Sequence, residues 1–173
     1  MPLTGFANTA IDHVRTDRAT VLKRLNDFAR HDLVCYRAAE PPQLAAREDA
    51  AWDQPLVWAR SRYGLDLAVT YGIAAVPQPQ SALDRLAHHL AARDEFALTG
   101  LVAAAGNLKS VVLALSLADG RLDAAAAHEA AHIDETFQAE TWGRDDEAME
   151  RRVNLKAELE ACEAFIRLAK AAA

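Results

Sequence analysis

Apolar residues recur along most of the chain at the spacing of a helix, on which residues three and four positions apart share a face. This pattern predicts helices over these approximate ranges: 4–30, 42–63, 81–90, 98–105, 109–118, 123–141 and 145–173. Short runs rich in strand formers, at 32–36 and 65–71, predict two strands that could pair as a small ribbon. The expected fold is mainly α, a compact multi-helix domain with at most two short β-strands.

The helix predicted over 123–141 carries an apolar stripe that ends in an acid. An arc of roughly 80° holds five apolar residues, as on a face that packs against a core: Leu122, Ala126, Ala130, Ile133 and Phe137. Glu140 falls in the same arc, where a carboxylate costs free energy unless it is paired. Either this last turn extends past the core and Glu140 is solvated, or Glu140 has a partner.

The composition supports closely packed helices. The chain is rich in alanine, which favours helix and buries little area, and it has only 7 glycines and 6 prolines. Gly100 and Gly106 are expected to permit close contact between helices. We expect one helical domain over 1–173, in which about 145–173 forms a C-terminal helix that packs on the rest or extends from it.

The acidic charge is concentrated in one segment. Residues 134–163 include ten acidic and four basic side chains, so they carry the whole net charge of −6. A solvated helix face would account for this segment, and so would docking onto a basic partner. The acidic balance indicates no nucleic-acid binding.

Membrane insertion and secretion are not expected. The most apolar window, 98–118, contains Asn107 and Lys109, which favours two packed helices over a membrane span. The N-terminus lacks the pattern of a secretory signal. Cys35 and Cys162 have no metal or redox spacing, as is typical of inert thiols in a reducing compartment.

The run His128-Glu-Ala-Ala-His132 matches the H-E-x-x-H pattern of zinc peptidases, in which two histidines bind zinc and the glutamate activates water. Here both histidines are predicted to face solvent, away from the apolar stripe. Glu147 or Glu150 would be a distant third ligand. We expect two solvated histidines and no bound metal, and a zinc-dependent hydrolase that uses His128, Glu129 and His132 is the alternative.

The segment Asp134-Glu-Thr-Phe-Gln-Ala-Glu-Thr-Trp-Gly143 resembles the D-E-x-F-Q-x-E-x-W-G signature of the ATP12 chaperones. Upstream features also agree with that family: Leu33–Arg37, Pro41, Trp52-Asp53, Trp58, Gln78-Pro79 and the apolar run 111–117. The family pattern has proline directly after Trp-Asp, where this chain has Gln54. The resemblance covers residues from about 3 to 152.

This resemblance implies an assembly chaperone, not an enzyme, that binds the free α subunit of the F1 sector of ATP synthase. It would shield the surface that is later buried against the β subunit, and it would need no cofactor. The family also has a small β-rich domain before the helical one, so we expect an N-terminally shortened sequence. We expect a monomer in the bacterial cytoplasm, or in the mitochondrial matrix if the protein is eukaryotic.

The candidate client contacts lie in the signature segment. Glu140 is the expected charged contact, to an arginine of the client. Trp142 lies roughly opposite the apolar stripe, beside Gly143, where an exposed tryptophan would be a good interface anchor. Three polar residues are supporting candidates: Asp134, Glu135 and Gln138. Phe137 is expected to be structural.

Overall fold

The helices of this protein begin and end largely where the sequence supplies caps and breakers. The computed structural model describes residues 2–143 and 145–172. Its helices are α1 Pro2–Thr9, α2 Arg18–Arg30, α3 Pro42–Tyr63, α4 Gln80–Ala91, α5 Glu95–Leu108, α6 Val111–Ala118, α7 Ala124–Ala131, α8 Ile133–Trp142 and α9 Asp146–Ala172. Proline opens α3 at its first position, and Gly64, with a φ of 63°, closes it. The prediction of a mainly α, compact multi-helix fold is confirmed.

The single helix predicted over 4–30 is divided in the structure. After α1 the chain forms a π-helical turn over Ala10–Val14, and α2 then starts afresh. The Asp17 side chain accepts a hydrogen bond from the Thr20 N–H and caps this new start. The apolar spacing runs through the break, which is why the pattern alone does not reveal it.

The two predicted strands pair, but they are shorter than expected. β1 is Tyr36–Arg37 and β2 is Thr70–Tyr71, and they form a parallel two-stranded sheet with Tyr36 opposite Thr70. Most of the run predicted as the first strand is a 3₁₀ turn, Leu33–Cys35, capped by the buried side chain of Asp32. The same carboxylate accepts the backbone N–H groups of Val111 and Val112, so it also caps the start of α6.

The centre of the core is α6, in which all eight residues are buried. Helices α5 and α9 pack closely against each other beside it, and Gly100 of α5 lies against Ile166 of α9. Leu159, Cys162 and Ile166 are buried along α9, as its apolar spacing predicts. Within 2–143 and 145–172, no helix combines the length and the apolar character needed to cross a membrane.

The helix predicted over 123–141 is also divided. It breaks at His132, whose φ and ψ of −120° and 29° are not helical, so that α7 and α8 are separate helices. Asp123 caps α7 as an N-terminal cap should, because its side chain accepts from the Ala126 N–H. Helix α9 covers part of the α7 surface that the sequence predicts to be exposed.

Candidate functional site

Helix α8, which contains most of the signature segment, separates two hollows in the surface. The first, here called the α8–α9 cleft, has a volume of about 610 Å³ and lies between α8, α9 and the end of α5. The second, here called the α3 groove, has a volume of about 620 Å³ and lies between α3 and α7–α8. Arg152 of α9 lines both, and it donates a hydrogen bond to the Thr136 hydroxyl of α8 at 2.9 Å.

The α8–α9 cleft brings three of the five predicted contact residues together: Glu135, Gln138 and Trp142. Trp142 is 77% exposed and Met149, which also lines the cleft, is 40% exposed. Gly143 ends α8 directly after the tryptophan, with a φ of 101° that favours glycine. The cleft therefore combines an exposed aromatic wall with polar groups.

Basic residues of the cleft were not predicted from the sequence. Lys109, with a φ of 52°, follows the end of α5, and it faces the cleft together with Arg151 and Arg152 of α9. Glu135 and Asp145 are the acidic residues of the lining. No local pattern could have indicated this basic set, because the end of α5 and the helix α9 meet only in the folded protein.

Glu140 lies on the other side of α8 and has a partner within its own chain. Its Oε2 is 2.7 Å from Nη1 of Arg47 on α3. The Arg47 guanidinium also lies over the Phe137 ring, 5.3 Å from the ring centre. The two side chains are 47% and 52% exposed, so this ion pair is in contact with water. Of the two alternatives for Glu140, the paired one is found, in an exposed position.

Asp134 also lies outside the α8–α9 cleft. It is exposed at the start of α8, where partial desolvation and the neighbouring charge of Glu135 raise the pKa of its carboxyl. Glu48 of α3 is a buried carboxylate that accepts the Ala38 N–H. Burial raises the pKa of Glu48, and the charge of Asp134 raises it further. Three of the five predicted residues thus line the cleft, while Asp134 and Glu140 lie outside its lining.

The prediction that His128 and His132 face solvent is wrong. Both are buried, at 6% and 7% exposure, and their ring centres are 4.1 Å apart. The reason is that α9 packs on this face of α7 and brings Arg152 and Lys156 near the rings. Burial, with help from those charges and from His132, lowers the pKa of His128 to about 4.

The geometry of the histidine pair does not match a catalytic zinc site. The Nδ1 of His132 is already hydrogen-bonded to the His128 carbonyl oxygen, at 2.8 Å. Among the residues that the structure describes, no three His, Cys, Asp or Glu side chains converge as metal ligands would. Glu129 is exposed while both histidines are buried, so the three residues do not share one open site.

Comparison with known proteins supports the resemblance to the ATP12 family. The sequence model of the ATP12 chaperone protein family matches residues 1–60. The crystal structure of Atp12 from Paracoccus denitrificans has 38% identity and a TM-score of 0.94, over 97% of this chain and 72% of that one. A lysine-for-aspartate mutant of the same protein matches at 37% identity and the same TM-score and coverage. The Atu1473 protein from Agrobacterium tumefaciens matches at 35% identity and a TM-score of 0.89, over 96% of this chain and 63% of that one. With this identity over nearly its whole length, the chain belongs to the ATP12 chaperone family.

Proposed function

We propose that this protein is an assembly chaperone for the F1 sector of ATP synthase and that it binds the free α subunit at the α8–α9 cleft. Membership of the ATP12 chaperone family supports the chaperone role. The α subunit as client is what the sequence resemblance implies. Bound there, the chaperone would shield the α-subunit surface that later meets the β subunit. Its action would be stoichiometric binding, without catalytic turnover.

The observation that carries this proposal is the exposure of Trp142. A tryptophan at 77% exposure leaves a large apolar side chain in water, and Met149, at 40% exposure, adds apolar surface to the same cleft; contiguous exposed apolar surface marks sites of protein association. Tryptophan is also enriched among the few residues that supply most of the binding free energy of an interface. Since Trp142 stands on the wall of a cleft, a client side chain could pack against its ring and insert beside it.

The charges around the cleft indicate the kind of surface that it would accept. Glu135 and Gln138 offer polar contacts inside the cleft, where Lys109 and two arginines balance the acidic groups. Beyond the cleft, the start of α9 is exposed and strongly acidic: Asp146, Glu147 and Glu150. An acidic rim attracts a basic client surface and speeds encounter more than it strengthens the final complex.

On this proposal Asp134 and Glu140 would be secondary contacts. Glu140 lies on the α3 side of α8 and Asp134 lies outside the cleft lining, so a client that reaches Glu140 must extend across the helix from the cleft. Such an interface would bury both faces of α8 and would include most of the signature segment.

The test is binding of isolated F1 α subunit to this chain and to two matched variants. Trp142→Ala should weaken the complex by about 10- to 30-fold, which corresponds to a loss of about 1.4–2 kcal/mol at an interface anchor. The control Ile73→Ala also removes a fully exposed apolar side chain, but far from the cleft lining, and it should bind as the wild type does.

Both variants should keep the circular dichroism spectrum of the wild type, because neither side chain is buried. The proposal fails if the wild-type chain forms no complex with the α subunit. The position of the site is wrong if Trp142→Ala binds normally or if Ile73→Ala weakens binding as much.

A further inference from the structure

Phe137 and Glu140, three residues apart on α8, form a small platform on the α3 side of the helix. The platform offers the face of an aromatic ring and, next to it, a carboxylate. Arg47 occupies it, with Nη1 2.7 Å from the carboxylate and the guanidinium carbon 5.3 Å from the ring centre. Stacking on a ring and pairing with a carboxylate are the two interactions that a planar guanidinium makes best. In its chemistry the platform is a guanidinium-binding site.

The fold does not depend on Arg47 to hold α3 in place. The Arg47 and Glu140 side chains are about half exposed, and such ion pairs contribute little to folding. A firmer link between α3 and α7 is buried nearby, where Trp52 donates its indole N–H to the Ala130 carbonyl oxygen at 2.8 Å. Arg47 can therefore leave the platform while α3 stays where it is.

We propose that an arginine of the client displaces Arg47 and takes its place on the Phe137–Glu140 platform. This inference rests on the proposed function. The acidic charge of residues 134–163 favours a basic client, and arginine fits both parts of the platform where lysine fits only the charge.

Displacement of Arg47 also opens apolar surface beside the platform. Arg47 lines the α3 groove, whose floor is formed largely by small and aliphatic side chains: Ala51, Leu122, Ala126, Ala130 and Ile133. This floor is most of the stripe that the sequence pattern assigns to the core. A client segment with an arginine followed or preceded by an apolar residue would fill both the platform and the groove.

If a client arginine displaces Arg47, removing Arg47 should strengthen client binding, whereas removing one partner of a purely structural ion pair should not. Arg47→Gln removes the internal competitor, so the isolated F1 α subunit should bind about two- to fivefold more tightly, the range expected for loss of an exposed pair. Glu140→Gln removes the site itself and should weaken binding. Lys23→Gln is the control, since it deletes another exposed cation of an ion pair, the one with Asp27 on α2, and it should leave binding unchanged.

If Arg47→Gln binds the α subunit with unchanged or lower affinity, the pair is a brace between α3 and α8 and the exchange is refuted. A gain that Lys23→Gln reproduces would reflect net charge alone and would also refute it.

A second measurement decides the matter without the client, and so separates this inference from the proposed function. N-acetyl-arginine amide is titrated into Arg47→Gln while the Phe137 ring protons are followed by NMR. We expect a saturable shift that is weaker in the wild type, where Arg47 competes, and that is lost when Glu140→Gln is added. N-acetyl-glutamine amide should cause no such shift. If Arg47→Gln shows no saturable response to the arginine amide, the platform does not accept an external guanidinium.

Discussion

Replacing Gly100 by alanine tests the close packing of α5 on α9. An alanine Cβ at this position would overlap Cγ1 of Ile166 and lie 3.2 Å from its Cδ1 and 3.4 Å from Cδ1 of Phe165. Carbon atoms in a packed core normally lie about 3.5–4.0 Å apart. Ile166 and Phe165 are each 6% exposed, so both side chains are packed among neighbours and must shift to admit the new methyl group.

The size of the effect follows from a comparison with Gly106, six residues further along α5. A Cβ there would lie 3.9 Å from the Arg24 guanidinium and 4.0 Å from the Phe28 ring, which is ordinary contact. Both substitutions gain about 0.5–1 kcal/mol from the helix preference of alanine. Only Gly100→Ala also meets overpacking, which costs about 1–3 kcal/mol. The free energies of unfolding of the two variants should therefore differ by about 1–3 kcal/mol, with Gly106→Ala the more stable.

Urea unfolding followed by circular dichroism at 222 nm measures this difference. Combining Gly100→Ala with Ile166→Ala should cost less than the sum of the two single changes, because the second change removes the atoms that overlap. If Gly100→Ala stabilises the protein as much as Gly106→Ala does, then α9 does not lie as close to α5 as the structure shows.

Three further changes probe other parts of the fold. The pKa of His128 is lowered from about 6.5 to about 4, so this side chain binds fewer protons in the folded protein than in the unfolded chain between these values. Its contribution to the free energy of unfolding should therefore fall as the pH drops from about 6.5 to about 4, whereas the raised pKa of the buried Asp32, about 6, acts in the opposite direction in both the wild type and a His128 variant. The fall in this contribution is at most about 3 kcal/mol. Urea midpoints measured across this pH range should show a smaller fall on acidification for His128→Gln than for the wild type, and the same pH profile in both proteins would contradict the assignment to His128. Lys109 has a left-handed backbone conformation, with a φ of 52°, which glycine adopts without steric cost. Lys109→Gly should therefore stabilise the protein by about 0.5–1 kcal/mol, and a lower melting temperature would refute this. Trp52→Phe leaves the buried Ala130 carbonyl oxygen without its hydrogen-bond donor and should lower the free energy of unfolding in urea by about 1–3 kcal/mol. Trp58→Phe, at a half-buried position, should cost clearly less, and equal losses would count against the hydrogen bond.

Local signals in the sequence predicted the helix ends well where a cap or breaker is present. Pro42 and Gly64 bound α3 as expected, because proline suits a first turn and glycine a left-handed end. The breaks at Asp17 and His132 were missed, since neither residue is a strong breaker and the apolar spacing continues across both. The expectation for Gly100 is supported by its contact with Ile166, while Gly106 meets no such close neighbour.

The contacts around the signature segment could not be predicted from the sequence. The signature segment indicated Glu140 and Trp142, but Arg47, the partner of Glu140, is 93 residues away and on another helix. The orientation of α7 was predicted wrongly because α9 covers the face that carries His128, and periodicity shows only that a helix has two unlike faces. Which face a later helix will cover is a property of the assembled fold.

Hydrogen–deuterium exchange of this protein with and without the F1 α subunit tests the central claim most directly. We expect the α subunit to slow exchange in α8 and in the first turns of α9, the two walls of the cleft beside Trp142. The loop from Gly72 to Pro79, which lies outside the cleft lining, should exchange at the same rate in both states. Protection of that loop without protection of α8, or no protection anywhere, would contradict the proposal that the α8–α9 cleft is the client site.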